Sequence, residues 1–312
     1  MDQMLALGID IGGTNTSFGL VDRRGNILAK GKMPTTGHGA IGQYIEALKQ
    51  QVAPLLANAG QSIVGVGVGA PNANFYTGQI GHAPNLPWKG VIPLAKLLSD
   101  AFNLKTTITN DANAAALGEM MYGAARGMRD FAIITLGTGV GSGFVANGQL
   151  IYGHDGFAGE IGHVIAVRDG RPCGCGRNGC MERYASATGI CITAEEWLDE
   201  RNDESLLRKY KGKVAAHDIH EAALAGDKLA LEIFEYTGKI LGQTLADAVA
   251  ITSPEAFIFF GGLAKSGELL LKHVYKYMED NLLVVYKNKV KLLQSELPDA
   301  DAAILGASAL VW

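Results

Sequence analysis

Several things this 312-residue sequence lacks narrow what it can encode. It has no uninterrupted apolar run of about 18 residues, and its first residues, MDQMLALGIDIGG, show no basic segment ahead of a long apolar stretch. Neither membrane insertion nor export is therefore expected. Its net charge is small, −4 from 27 Lys and Arg against 31 Asp and Glu, with no clustered basic excess, which argues against nucleic acid and favours small-molecule partners. It has only four cysteines, and Cys173, Cys175 and Cys180 crowd one short loop. That is a poor disulfide framework but good metal-ligand spacing, which places the chain in a reducing cytoplasm. No G-x-x-x-x-G-K-[ST] occurs, so a P-loop is excluded; LGTGVGSGF lacks the third glycine of G-x-G-x-x-G and runs into a strand pattern, against a dinucleotide-binding Rossmann unit.

What is abundant is glycine: 41 residues, above the usual share of about 7%, set in discrete clusters between apolar runs. MLALGIDI breaks at Gly12-Gly13, TSFGLVD returns, and RRGN turns into ILAKGKM, the pattern of a three-stranded antiparallel meander. A helical pattern follows over AIGQYIEALKQQVAPLLANAG, where Pro54 is expected to distort or divide it. Strand IVGVGVGA, the loop PNANFYTGQIGHAPNLPWKG, helix VIPLAKLLSDAFN, strand KTTITN and helix ANAAALGEMMYGAA come next, an alternation that suggests a parallel central sheet. DFAIITLGTGVGSGFVANGQLIYG then echoes the first hairpin about 120 residues later, a single duplication and not a repeat array. A long helix over 228–252, strand AFIFF, Gly261-Gly262, a helix from Ser266, strand VKLL and a helix from Asp301 complete the chain. Two similar lobes facing a cleft account for the echo, with residues 1–128 in one, 129–312 in the other and the final helix packing back across the boundary.

Three motifs carry chemistry. In GIDIGGTN, Gly12 and Gly13 let backbone N–H groups approach a phosphate, Thr14 can donate a hydroxyl, and Asp10 can orient a hydrated magnesium ion; a plain tight hairpin is the alternative. TLGTGVGSG, with Thr138 and Gly139, repeats the arrangement. In Asn110-Asp111 a strand meets a helix, where a carboxylate at the carboxyl edge of a sheet can reach a substrate hydroxyl, or can merely cap the helix. The third is GEIGH followed by CGCGRNGCMERYAS: His163, Cys173, Cys175 and Cys180 supply the one imidazole and three thiolates of a closed tetrahedral zinc site. Such a site pins Glu160, His163 and Glu182 together, and a zinc-bound imidazole can offer its second nitrogen to a polyhydroxylated ligand. Cys191 reads as a packed core thiol, and His217 and His220 as a solvated helix start. Gly261-Gly262 can pass beneath an adenine ring or simply turn the chain.

Taken in order, GIDIGGTN, GVGAPN with APNL, the ND pair, LGTGVGSG, GEIGH, CGCGRNGCMERYAS and FFGGLAKSG resemble the ROK family (repressor, open reading frame, kinase) of the hexokinase and actin superfamily, over essentially the whole chain. The resemblance implies a two-lobed α/β fold of the actin-like, ribonuclease H-like ATPase type, with a sheet and helices in each lobe and a central cleft. It implies an ATP-dependent sugar kinase, glucokinase-like and acting on the 6-hydroxyl, with N-acetylmannosamine, N-acetylglucosamine or fructose as alternatives to glucose and a non-catalytic sugar sensor as the other class. Asp111 would be the general base. Ala70, Asn85, Asn110, Asp111, Glu160, His163 and Glu182 would hold the sugar. Asp10, Gly12, Gly13, Thr14, Thr138, Gly139 and Gly262 would line ATP and its magnesium, and the chain would form a homodimer. Family repressors carry a DNA-binding region ahead of the kinase-like part; here the phosphate strand lies within the first ten residues, so DNA binding is not expected. Gly69-Ala70-Pro71-Asn72 departs from the family's Gly-x-Pro-Gly loop, placing a side chain where a glycine hydrogen would face the sugar.

Overall fold

The computed structural model describes residues 4–83 and 85–312, so that Pro84 of the APNL segment lies outside the described residues. The chain begins with the meander β1 (Leu5–Ile11), β2 (Asn15–Asp22) and β3 (Ile27–Pro34), then α1 (Ile41–Ala57) and β4 (Ile63–Gly69). Short strands β5 (Ala73–Asn74), β6 (Gln79–Gly81) and β7 (Val91–Ile92) precede α2 (Leu94–Phe102), β8 (Thr106–Thr109) and α3 (Asp111–Tyr122). The second hairpin supplies β9 (Phe131–Leu136), β10 (Val140–Ala146) and β11 (Gln149–Leu150). Helices α4 (Glu182–Ala185), α5 (Ala187–Glu200), α6 (Ala216–Leu224) and α7 (Lys228–Thr252) follow, then β12 (Ala256–Phe260), α8 (Glu268–Asn281), β13 (Lys291–Gln294) and α9 (Ala302–Ala309).

The two main sheets have one plan. The first runs β3-β2-β1-β4-β8 and the second β11-β10-β9-β12-β13. In each, a meander pairs antiparallel, its first strand pairs parallel with one later strand, β4 or β12, and that strand pairs parallel with the next, β8 or β13. The sheets are thus mixed and not wholly parallel. The glycine-valine alternation of β4 has a packing cause. A Cβ at Gly67 would lie 1.9 Å from the Ala307 carbonyl oxygen, and one at Gly8 of β1 2.3 Å from that of Ile304, so α9 rests directly on the sheet backbone. The opposite face buries Leu7, Ile9, Tyr44, Leu48, Val52, Leu94 and Leu98 among α1 and α2, each worth about 1.5–3 kcal/mol on burial. Helix α3 in turn touches α9 at Gly118 and Gly306, where a Cβ on Gly118 would come within 2.9 Å of the Gly306 Cα, and its Ala112 and Ala116 lie against Gly141 and Gly143 of β10.

Two expectations need correction. Pro54 does not divide α1, which continues to Ala57; it falls in the last turn, where it removes a single hydrogen bond, and Asn58 N–H still bonds the Pro54 carbonyl at 3.2 Å. The segment read as a loop over 71–90 carries β5 and β6, which form a small antiparallel sheet with β7 at the first two residues of the expected helix VIPLAKLLSDAFN, so that α2 starts only at Leu94; two- and three-residue strands are too short to show a period of two. Among the described residues no helix is long and apolar enough to cross a membrane.

Candidate active site

Asp10 and Asp111 meet over Gly69. Asp10 is the second-last residue of β1 and pairs with Gly69 of β4; a Cβ on Gly69 would lie 3.6 Å from Asp10 Oδ1 and 3.8 Å from the Asp111 Cα. The two carboxylates line one cavity with Thr135, Phe260 and Ala302. Burial, and secondarily the Asp111 charge, push Asp10 up to about 7; burial also raises Asp111.

The cap of α3 is Asn110, not Asp111. Its side chain accepts from Asn113 N–H at 2.7 Å, and its own φ and ψ are extended. Asp111 is therefore the first residue of the helix proper. Its Oδ1 accepts from Ala112 N–H at 2.8 Å, which fixes the carboxylate and leaves Oδ2 for a ligand.

The first glycine turn closes with Gly12 N–H on the Asn15 carbonyl at 2.9 Å. A Cβ on Gly13 would sit 2.7 Å from the Asn85 carbonyl oxygen, so the predicted sugar residue Asn85 lies against the predicted phosphate turn. Ala70 is fully buried and donates its N–H to the Thr109 carbonyl at 3.0 Å. Asn72, where the family pattern has glycine, takes φ of 53°, and its side chain donates to the Gly81 and His82 carbonyls at 3.2 and 3.1 Å. Asparagine tolerates this left-handed conformation, and its amide holds the following loop.

Across the cleft, the second glycine turn and the cysteine loop share one side chain. Glu182, at the start of α4, accepts from Val140 N–H through Oε2 at 3.4 Å and from Cys173 Sγ through Oε1 at 3.1 Å, with His163 Nδ1 at 3.8 Å from the same oxygen. Glu160 lies in this field: burial raises its pKa, the His163 imidazole lowers it, and the Asp111 and Glu182 charges raise it. The Ser142 hydroxyl donates to the Gly159 carbonyl and anchors the GEIGH segment on β10. Asn110, Asp111, Glu160, His163 and Glu182 thus gather on the two walls of one cleft, with Thr14 and Thr138 exposed at the tips of the two turns.

The cysteine loop is built as a ligand cage. Cys173 N–H bonds the Arg177 carbonyl at 2.8 Å, Gly179 N–H that of Arg171 at 2.8 Å, and Cys180 bridges to Ile165. One ligand atom each from His163, Cys173, Cys175 and Cys180 lies within 4.8 Å of all the others. Cys175 Sγ to Cys180 Sγ is 3.5 Å and Cys173 Sγ to His163 Nδ1 is 3.7 Å, near the edge of a tetrahedron whose metal–sulfur bonds are about 2.3 Å. The Arg177 N–H holds the Cys175 thiol down to about 6, and burial pushes Cys173 up to about 12. All four side chains fit a structural zinc ion, with Nδ1 toward the thiolates.

Gly262 opens onto a separate cavity of about 370 Å³ lined by Ala187, His217, His220, Lys265 and Ser266. The two histidines, assigned by spacing to a solvated helix start, therefore flank the predicted nucleotide glycine. Nothing in the local sequence reports this, because α6 and the 261–266 turn meet only through tertiary packing. The capping role of Asn110 and the place of Thr135 and Phe260 in the cavity likewise have no local signal, because the cap bond goes to the backbone N–H of residue 113 and the cavity is closed by tertiary packing.

Comparison with known proteins agrees with this geometry. The chain is 35% identical to a glucokinase of Halalkalibacterium halodurans over 98% of its own length and 94% of that protein's. It superposes on a ROK family glucokinase from Streptomyces griseus, solved in complex with glucose and AMPPNP, with a TM-score of 0.79 and 34% identity over 98% of both chains. A ROK hexokinase from Thermus thermophilus matches with a TM-score of 0.82 and 29% identity over 98% of this chain and 97% of that one. The sequence model of the ROK family matches residues 6–312, and with the duplicated sheets, both glycine turns and the His-Cys cage in place, this chain belongs to the ROK family.

Proposed function

We propose that the chain is an ATP-dependent hexose kinase that phosphorylates the 6-hydroxyl of glucose, with Asp111 as general base. The observation that carries it is the freeing of Asp111: Asn110 takes the capping role, and the Asp111 carboxylate stands beside Asp10 and opposite Glu160, His163 and Glu182. The glucokinase relatives, and the glucose and AMPPNP held by the S. griseus structure, support the same substrates.

Sugar binds between the two walls. Asn110, Glu160, His163 Nε2 and Glu182 receive its secondary hydroxyls, and Ala70 and Asn85 close the near side. The 6-hydroxyl faces Asp111, whose Oδ2 takes the proton as the oxygen attacks the γ-phosphorus. The bond to the β,γ-bridging oxygen breaks, and ADP leaves with that oxygen. Backbone N–H groups at Gly12, Gly13, Thr14, Thr138 and Gly139 face the phosphates, and Gly262 borders the adenine. The raised pKa of Asp111, caused mainly by desolvation of its carboxylate, makes it a stronger base than a free carboxylate. Magnesium, held through water by Asp10, would neutralise phosphate charge. Zinc on His163, Cys173, Cys175 and Cys180 would keep Glu160 and Glu182 in register.

Two lobes, 1–128 and 129–312, a reducing cytoplasm, supported by four free cysteines, and a homodimer complete the proposal. Its test is Asp111→Asn: turnover falls by at least about a hundredfold, the scale of general-base help, while glucose affinity by calorimetry stays within a few-fold. Near-normal turnover overturns the base assignment. A panel of glucose, mannose, N-acetylmannosamine, N-acetylglucosamine and fructose checks the sugar, and sugar-independent ADP release throughout would leave a sensor.

A further inference from the structure

On the same cleft a second set of residues joins its two sides. The β5 turn carries Asn74, Phe75 and Tyr76; the segment after β11 carries Tyr152 to Gly156. The Phe75 and Tyr152 rings stack with centroids 4.1 Å apart and planes 13° from parallel. Tyr76 stands edge-on to Tyr152 at 5.9 Å, and its hydroxyl donates to the Gly153 carbonyl at 3.0 Å. Asn74 is only 5% exposed. Its Oδ1 accepts from Tyr76 and Thr77 N–H at 3.0 Å each, while its Nδ2 donates to the Asp155 carbonyl at 2.5 Å. Gly156 has φ of 87°, and a Cβ there would meet the Asn74 amide at 2.6 Å, so the two segments interlock at backbone level.

The bridge also reaches the reacting residues. The Tyr152 hydroxyl lies near enough to the Thr109 side chain to be held somewhat below the value that burial alone would give it, and Thr109 Oγ1 accepts from Asn113 Nδ2 at 3.3 Å. Thr109 immediately precedes Asn110 and Asp111. A residue that follows the second sheet is therefore held by the Phe75 ring, five residues past Ala70, and lies near the strand end that presents the base.

We propose that Tyr152, seated on Phe75 and Thr109, is a positioning residue that holds the cleft in its sugar-binding arrangement and thereby sets affinity for the hexose. The physical ground is population: when only part of the molecules have the binding arrangement, apparent affinity drops by that fraction. Phosphates contact the glycine turns and not this bridge, so the nucleotide is little affected.

The proposal rests on the sugar-kinase assignment for its substrate, yet its readout does not need turnover. Glucose binding is measured by calorimetry, and KM and kcat by coupled ADP release. Tyr152→Ala raises the glucose Kd and KM about tenfold, the size of one lost aromatic pair, with kcat and the ATP KM within about twofold. Tyr152→Phe, which keeps the stack, restores most of the affinity. In hydrogen exchange of the sugar-free protein, Tyr152→Ala speeds the Tyr76 and Thr77 amides, and glucose slows them in the unmodified chain. If Tyr152→Ala fails to fold, Tyr76→Phe, at an exposed ring, still raises the glucose Kd about threefold. Glucose affinity unchanged in both variants, or sugar and ATP affinity lost in equal measure, overturns the proposal. Intact glucose binding with no phosphoryl transfer would instead overturn the kinase assignment and leave this test standing.

Discussion

Gly139 and Glu182 are in contact across the second hairpin: a Cβ on Gly139 would lie 2.6 Å from Glu182 Oε2. The glycine of the proposed phosphate turn thus keeps clear the place of a carboxylate that also accepts from Cys173. Gly139→Ala must move Glu182 or the turn. The expected outcome is a rise in both the ATP and the glucose KM, each by about tenfold for a displacement costing about 1.4 kcal/mol. An effect on ATP alone would separate the two sites.

The pH dependence follows from two raised carboxylates. Asp10 titrates at about 7, and Asp111 above its ordinary value. Both act as anions in the proposed chemistry, so kcat/KM for glucose falls as pH drops through 7, and saturating magnesium moves the falling limb to lower pH. The stability sign is opposite. A carboxylate whose folded pKa is raised favours the fold while protonated, and that contribution is lost as pH rises from 3.8 toward 7 for Asp10. Asp10→Asn therefore melts higher than the unmodified chain at pH 8 without nucleotide, while losing activity. Equal melting temperatures at pH 8 would contradict the buried charge.

Zinc is checked by composition and by removal. Elemental analysis is expected to find about one zinc per chain. Cys175→Ser or prolonged chelation lowers glucose affinity more than ATP affinity, because Glu160 and His163 lie on the cage and the first glycine turn does not. A metal-free chain with unchanged affinity for both would remove zinc from the site.

Asn110→Ala separates the cap from the base. Losing the bond to Asn113 N–H costs about 1 kcal/mol of stability, seen as a lower melting temperature. Asn110→Asp, which keeps a cap, recovers stability but adds a charge beside Asp111 and lowers turnover.

How much of this is legible in the sequence depends on distance along the chain. The His-Cys cage is legible because its ligands fall within one short segment, and four soft donors there have few other uses. The glycine turns are legible because apolar strands frame them on both sides. Asp111 is only half legible: strand and helix patterns locate it, but which of two adjacent polar residues caps the helix depends on backbone angles. The small sheet, the His217 and His220 wall and the Tyr152 bridge are not legible. Each joins short or irregular segments whose partners are distant in sequence, so no local period records the contact.

The common plan of the two sheets has one further consequence. Asp10 is the second-last residue of β1, and Thr135 is the second-last residue of β9, each just ahead of its glycine turn. Both face the same cavity. The two main sheets share one strand plan, yet at matched points the molecule carries an acid on one side and a neutral hydroxyl on the other. That broken symmetry gives the cleft a direction: a cation has one wall to prefer, and a phosphate chain laid between the halves can be read from only one end.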